Sequence, residues 1–395
     1  QWGNTEGRQA PAATRDVAGI DVASDATLSG MAIGSLKADA TSTADSATAT
    51  AGAGDKATGA ELPSLNVGGV ANITAAAQLD SAATATNVGT RDLGATALAG
   101  QDQVVTGLTS LGEMAGESMG LQGLGFTGTI AQPASLSSHT FESFDTAAAS
   151  STDLNINVAS DAMLTAQGFS NLDATATSTA GNAIADAGSS TSTVTGIADG
   201  MDINVGGVGN LTALAQGTAD ASATSVTGLA DAFASQGALG ISQLEMKTAS
   251  DDTLKSTASV VGSATATTTG DATDNDFAAA AVDFDSTGIN GLAMQAGGLG
   301  NLTATGSVTG NADATSVAGS ADARAEIDAM GLNDAWFSSA SDGNITGMGI
   351  INSGVNATST ASTANAEGDF DATGINSLEA GIGGISTLKG QAQVK

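Results

Sequence analysis

The chain has 395 residues and a formal charge of −31 at pH 7, from 41 acidic and 10 basic residues. A field of that sign repels nucleic acid and anionic membrane, so neither is expected as a partner. The absence of cysteine excludes disulfide and thiolate-metal frameworks, and 3% aromatics with no Tyr argue against a thick globular core.

Residues 1–17 lie outside any repeat and carry Trp2, Arg8, Pro11 and Arg15. They are expected to form an N-terminal extension that acts as an arm toward another subunit, with Trp2 as its anchor. The chain starts at Gln1 rather than Met, the pattern of a mature product after signal-peptide removal, so an extracellular or cell-surface location is expected. No run approaches 18 apolar residues, so no membrane span is expected.

From residue 18 to 395 the chain reads as one continuous repetitive body with no linker of distinct composition. Two markers alternate along it. Ala-Ser-Asp begins at Ala23, Ala159, Ala249 and Ala340, and Gly-Gly begins at Gly68, Gly206, Gly297 and Gly383. The steps between them are 45, 91, 47, 43, 48, 43 and 43 residues. Reading the 91 as two units, with a degenerate marker near Glu113, gives nine starts of one period. A period of this size belongs to solenoids, propellers and arrays, whose units bury an apolar face only by stacking.

Ala-Thr pairs follow the markers at a fixed offset, from Ala40-Thr41 to Ala357-Thr358, inside stretches such as Ala40-Thr41-Ser42-Thr43-Ala44. Their alternation predicts strands with one residue type on each face. Thr, Ser, Asp, Asn and 53 glycines disfavour helix. The Gly-Gly marker, as in Gly68-Gly-Val-Ala-Asn-Ile-Thr, predicts a corner in which Gly supplies positive φ and the following Ile or Leu begins the buried face. The expected fold class is therefore all-β, a solenoid-like or stacked-sheet array with units of about 45 residues. Only small side chains fill the interior, so it is expected to be thin.

The segment near 100–145 departs from the pattern, with Met114, Met119, Phe126, Pro133, Phe141, Phe144 and the sole histidine, His139. It is expected to be a degenerate unit. At the other end, the unit spanning 376–395 stops early and leaves Ile385, Leu388 and Val394 on a strand with no following neighbour. Lys389 and Lys395 sit there too. Basic, uncapped ends on an acidic body predict head-to-tail contacts through Trp2, Ile385, Leu388 and Val394.

A search for chemistry finds no setting for catalysis. His139 lies in a Ser-Ser-His-Thr stretch, and carboxylate pairs recur too widely to single out a glycosidase pair. No catalytic, cofactor or metal site is assigned, and no enzyme activity is expected. Gly123-Leu-Gly-Phe-Thr-Gly128 matches a dinucleotide fingerprint in letters only, without a βαβ context. The calcium β-roll pattern fails because Asn, Thr or Ser stands where Asp is required. Asn72, Asn210, Asn301, Asn344 and Asn356 each begin an Asn-x-Thr sequon, candidate glycosylation sites in a secretory pathway that uses them. Divalent cations and glycans are the remaining candidate companions.

The Gly-Gly-x-x-Asn-Leu-Thr columns at Gly206 and Gly297, with the Ala/Thr/Ser/Gly alternation and the lack of Cys and Tyr, resemble secreted microbial fibre subunits of biofilm matrix and functional amyloid. That resemblance implies an extracellular homopolymer that scaffolds a biofilm or attaches cells. The competing expectation is a monomeric adhesin or ligand-binding solenoid presenting regular Thr columns, as ice-binding solenoids do. A propeller-type domain is the third, disfavoured by the scarcity of aromatics.

Overall fold

The computed structural model describes residues 20–43, 46–62, 64–89, 94–110, 125–128, 154–198, 200–270 and 276–395. Among them the regular secondary structure is strand, and no helix occurs. The strands form two sheets that face one another in a parallel, in-register stack. The chain is an all-β solenoid.

The first sheet is built from 17-residue strands, one per rung. They are Ala26–Ser42, Ala71–Asn87, Ala162–Ser178, Gly209–Ser225, Asp252–Thr268, Gly300–Ser316 and Gly343–Ser359, followed by the shorter Ser386–Val394. Each pairs with the next without a slip over its paired length. At the usual strand spacing, eight such strands stack to roughly 34 Å. The second sheet begins in pieces, such as Ala47–Ala51, Lys56–Leu62 and Leu65–Val67, and matures into unbroken strands from Leu229–Thr248 to Ala364–Ile382.

The 91-residue step holds one rung of the first sheet, not two. Ala71 pairs directly with Ala162, and the ladder runs on to Asn87 and Ser178. The eight strands replace the nine expected starts. The surplus falls between Val104–Ser110 and Leu154–Val158, and Glu113 lies outside the described residues. Of the segment near 100–145, Val104–Ser110 belongs to the second sheet, and Gly125–Gly128 pairs antiparallel with the outer edge of Ala26–Ser29. The alternation of markers agrees with the single rung. Asp-type and Gly-type turns alternate on successive rungs only if an odd number of rungs separates Gly68 from Ala159.

The interior is pinched into two cores. In the second sheet Gly59, Gly107, Gly196, Gly240, Gly288, Gly331 and Gly374 stack in one column. A Cβ on Gly288 would stand 2.6 Å from the backbone nitrogen of Thr305, and one on Gly107 2.6 Å from that of Gln167. The two sheets touch backbone to backbone there, which only glycine allows.

On one side of the pinch lie Ala ladders. Ala85, Ala176, Ala223, Ala266 and Ala314 are buried in the first sheet, opposite Ala95, Ala183, Ala230 and Ala278 of the second. On the other side Leu28, Ile73, Leu164, Leu211, Leu254, Leu302 and Ile345 form one buried column, packed with Ile197, Ile241, Ile289 and Leu332. Each such side chain removed from water contributes about 1.5–3 kcal/mol. Large residues enter the Ala side only where a partner shrinks: Phe284 is fully buried, and a Cβ on Gly262 would meet its ring at 2.8 Å.

The marker corner differs from expectation in its chemistry. None of Gly68, Gly206, Gly297 or Gly383 has positive φ. Clearance is the reason for glycine instead. A Cβ on Gly68 would lie 2.5 Å from the carbonyl oxygen of Ala23 in the rung before. The Asp of each Ala-Ser-Asp turn reaches into the Gly-Gly turn that follows. Asp25 accepts from the Val70 nitrogen, Asp161 from Val208, Asp251 from Leu299 and Asp342 from Ile385, each at 2.8 Å. Ile73, Leu211 and Leu302 begin the buried face as expected.

Candidate functional surfaces

Period-two strands place every second residue outward, so in-register stacking turns a sequence position into a surface column. The column Thr41, Thr86, Thr177, Thr224, Thr267, Thr315 and Thr358 is threonine on seven successive rungs of the first sheet. Charge on this outward face is sparse and mixed, with Lys37 and Asp39 in an ion pair at 3.1 Å and Lys255 and Lys389 interspersed among single aspartates. Exposed pairs of that kind contribute little to stability.

The second sheet is different. Asp283 and Asp285, Glu326 and Asp328, and Asp369 and Asp371 stand two columns wide on three consecutive rungs. Desolvation, then the neighbouring carboxylates, pushes Asp283, Asp285 and Asp328 above the usual carboxylate range. The rod is two-faced, a hydroxyl-rich side opposite an acidic one. Among the described residues no three His, Cys, Asp or Glu side chains converge as metal ligands.

Side-chain amides also stack. Asn66 donates to Asp21 at 2.8 Å, Asn157 to Asn66 at 3.0 Å and Asn204 to Asn157 at 3.2 Å. Asn333 donates to Asn290 and Asn376 to Asn333, at 2.8 and 2.9 Å. Such ladders reward in-register stacking of identical residues.

The sequon asparagines are surface residues. Asn72, Asn210, Asn301 and Asn344 occupy one outward column of the first sheet, beside Thr27, Met163, Thr253 and Thr387. Asn344 joins the three from Gly-Gly turns because both marker types stack at the same corner. Its amide donates to Asn301 at 2.9 Å, while Asn356, in another column, donates to Asp313 at 2.7 Å.

The residues expected at the subunit junction are placed in part. Trp2 lies outside the described residues, as do Arg8, Arg15 and His139. Leu388 continues the column that ends in buried Ile345, and Val394 the column of buried Ile351. Both are core positions, yet they are 62% and 51% exposed. Ile385 follows the Gly-Gly turn and is 77% exposed. Among the described residues, Ala364–Ile382 and Ser386–Val394 have a paired neighbour on one side only. No further rung covers them among the described residues.

Comparison with known proteins adds no name. No family model matches the chain, and no curated protein or solved structure matches it significantly. No described helix is long and apolar enough to cross a membrane.

One site was not foreseen from the sequence: a pocket around Trp336 on the outward face of the second sheet. An aromatic at an outward position of a strand was the available signal, but the bend that turns its neighbours toward it is not legible in the spacing.

Proposed function

We propose that this chain is a structural subunit of an extracellular homopolymeric filament, a biofilm scaffold or cell-surface fibre, assembling through the ends of its stack. The supporting observation is the exposure of Leu388 and Val394, which belong to core columns and have no covering rung among the described residues. Unpaired strand edges with apolar inward residues are templates for further pairing, and soluble monomers normally blunt them. The alternation of turns supports the same reading. Asp-type turns stack on Gly-type turns at three junctions, the relation that Ala23-Ser24-Asp25 and Gly383-Gly384 of two copies would repeat. Gly125–Gly128, now paired to Ala26–Ser29, would have to give way or to share that edge.

Negative-stain electron microscopy of the purified chain, with and without raised salt or millimolar calcium, tests this. Filaments are expected, with screening of the acidic face assisting assembly. In the double variant Leu388→Lys, Val394→Lys they are expected to fall at least tenfold, because charge at an edge opposes pairing. Isolated rods under every condition overturn the proposal. They favour the second reading, a monomeric adhesin or surface-binding solenoid, for which the seven-rung threonine column is the supporting observation.

A further inference from the structure

Trp336 is the sole tryptophan among the described residues, and it is 41% exposed on the outward face of the strand Ser320–Ser339. The large aromatics Phe284 and Phe337 are fully buried. In a chain this poor in aromatics, a surface indole has no packing role that a smaller residue could not fill. Its ladder neighbours are Ala293 on one side and Glu379 on the other. The alanine leaves the ring standing proud of the sheet on one flank.

The ring borders a pocket of about 510 Å³ lined also by Gly291, Leu292, Asp334, Ser377 and Glu379. The floor is a bend repeated on successive rungs. Gly291, Asp334 and Ser377 all have positive φ, of 78°, 47° and 55°. Gln243, on the rung before, shares the bend with φ of 47° but does not line the pocket, so the bend belongs to the stack and the pocket to the rungs around Trp336. There the bend sets Asp334 and Ser377 at the pocket rim. One residue earlier on each rung runs the amide ladder Asn290, Asn333, Asn376. Asn333 and Asn376 each give an N–H to the amide oxygen of the rung before, which holds the three rungs in register beside the bend.

The geometry points to a saccharide-binding site in which the C–H face of a pyranose stacks on Trp336. A flat apolar ring beside two carboxylates and a hydroxyl matches a ligand with one apolar face and a rim of hydroxyl groups. Asp334 and Glu379 accept from hydroxyls or an amine, and the Ser377 hydroxyl can donate or accept. Carboxylates at the rim of a chain with charge −31 repel uronate, sulfated and phosphorylated sugars, so the ligand is a neutral or amine-bearing pyranoside. The site is on the outward face of the second sheet, and its outermost rung, Ala364–Ile382, is paired on one side only, so a copy stacked there would extend the pocket's edge and leave the outward Trp336 face open.

Isothermal titration calorimetry of the full chain tests it with cello-oligosaccharides, glucosamine oligosaccharides, polygalacturonate and tetramethylammonium chloride. Saturable heat is expected from one or both of the first two and none from polygalacturonate. Trp336→Ala is expected to weaken binding at least tenfold with the melting temperature within a few degrees of the parent. Asp334→Asn keeps a residue that tolerates positive φ and is expected to weaken binding about threefold, which tests the site independently should the tryptophan variant misfold. The proposal is overturned if neither sugar binds, if binding survives both substitutions unchanged, or if only tetramethylammonium binds, which makes the pocket an ammonium site.

Discussion

The Oδ1 of Asp161 accepts a hydrogen bond from the backbone nitrogen of Val208, 2.8 Å away and one rung further along the stack. This contact explains why two markers alternate. An Asp turn supplies a carboxylate, and the following Gly-Gly turn supplies the clearance and the free N–H that receive it. Asp161→Ala is expected to destabilise that corner by about 1–2 kcal/mol, with Asp161→Asn costing less because it keeps an acceptor. Stability in a stacked array is local, so hydrogen exchange at the Val208 amide is the appropriate measurement. Unchanged protection there would remove the carboxylate from the account of the corner.

Gly288→Ala is expected to be among the most damaging single-methyl additions in the chain. The new Cβ would meet the Gly331 carbonyl oxygen and the Thr305 nitrogen, both at 2.6 Å and both backbone. Forcing the sheets apart at the pinch is expected to cost about 2–4 kcal/mol. Gly237→Ala is the control. Its nearest neighbour would be the Thr193 Cγ2 at 3.5 Å, so denaturant unfolding is expected to show no loss, or a gain of up to about 1 kcal/mol from the reduced freedom of the unfolded chain.

Asp252 faces inward and is fully buried, and neither carboxylate oxygen has a well-formed hydrogen bond, the Thr253 backbone N–H nearby offsetting the burial only in part. Its ladder neighbours are Gly209 and Gly300. Desolvation pushes its carboxyl up to about 7. The folded chain therefore holds this proton more tightly than the unfolded chain does. Below about pH 4 both states are protonated and no penalty arises; as pH rises from 4 to 7 the unfolded chain ionises first and stability falls. Asp252→Ala is expected to raise stability by ~2–4 kcal/mol at pH 8 and by much less at pH 4. Thermal unfolding of both proteins at the two pH values checks this, and an equal effect at both would rule out ionisation as the cause.

The carboxylates around Asp328 are exposed and mutually repulsive. Asp328→Asn is expected to raise the melting temperature slightly at low salt, reflecting about 0.5 kcal/mol or less after solvent screening. Desolvation is the larger cause of the shift and is not screened, so in 1 M salt, where the Debye length is about 3 Å, the gain should shrink by the part that the neighbouring carboxylates contribute. A gain independent of salt would mean that desolvation alone sets the cost.

Much of this architecture was written in the chain. Period-two alternation around Ala85-Thr86 and Ala176-Thr177 determined strands, one small inward residue and one outward threonine at a time, because the two faces of a pleat are fixed by local geometry. The scarcity of large side chains determined a thin interior. The steps between markers determined the rung register wherever they run from 43 to 48 residues, whereas the 91-residue step read as two units and only the pairing of Ala71 with Ala162 made it a single rung.

Tertiary structure alone decided how these rungs use their residues. The glycines of the marker corner read as positive-φ turns, yet their purpose is to clear Ala23 and Asp25 from the preceding rung, a contact between residues about 45 positions apart that no local rule contains. The column of Gly288 and its equivalents looks like ordinary strand glycine until the opposite sheet is in place. Leu388 and Val394 were legible as a strand, but their character as uncovered core positions follows from the stack. The pocket at Trp336 exists only because Gly291, Asp334, Ser377 and Glu379 of neighbouring rungs are set beside it. Local sequence fixes which way a side chain points; what it meets there depends on the neighbouring rung and on the facing sheet, both remote in sequence.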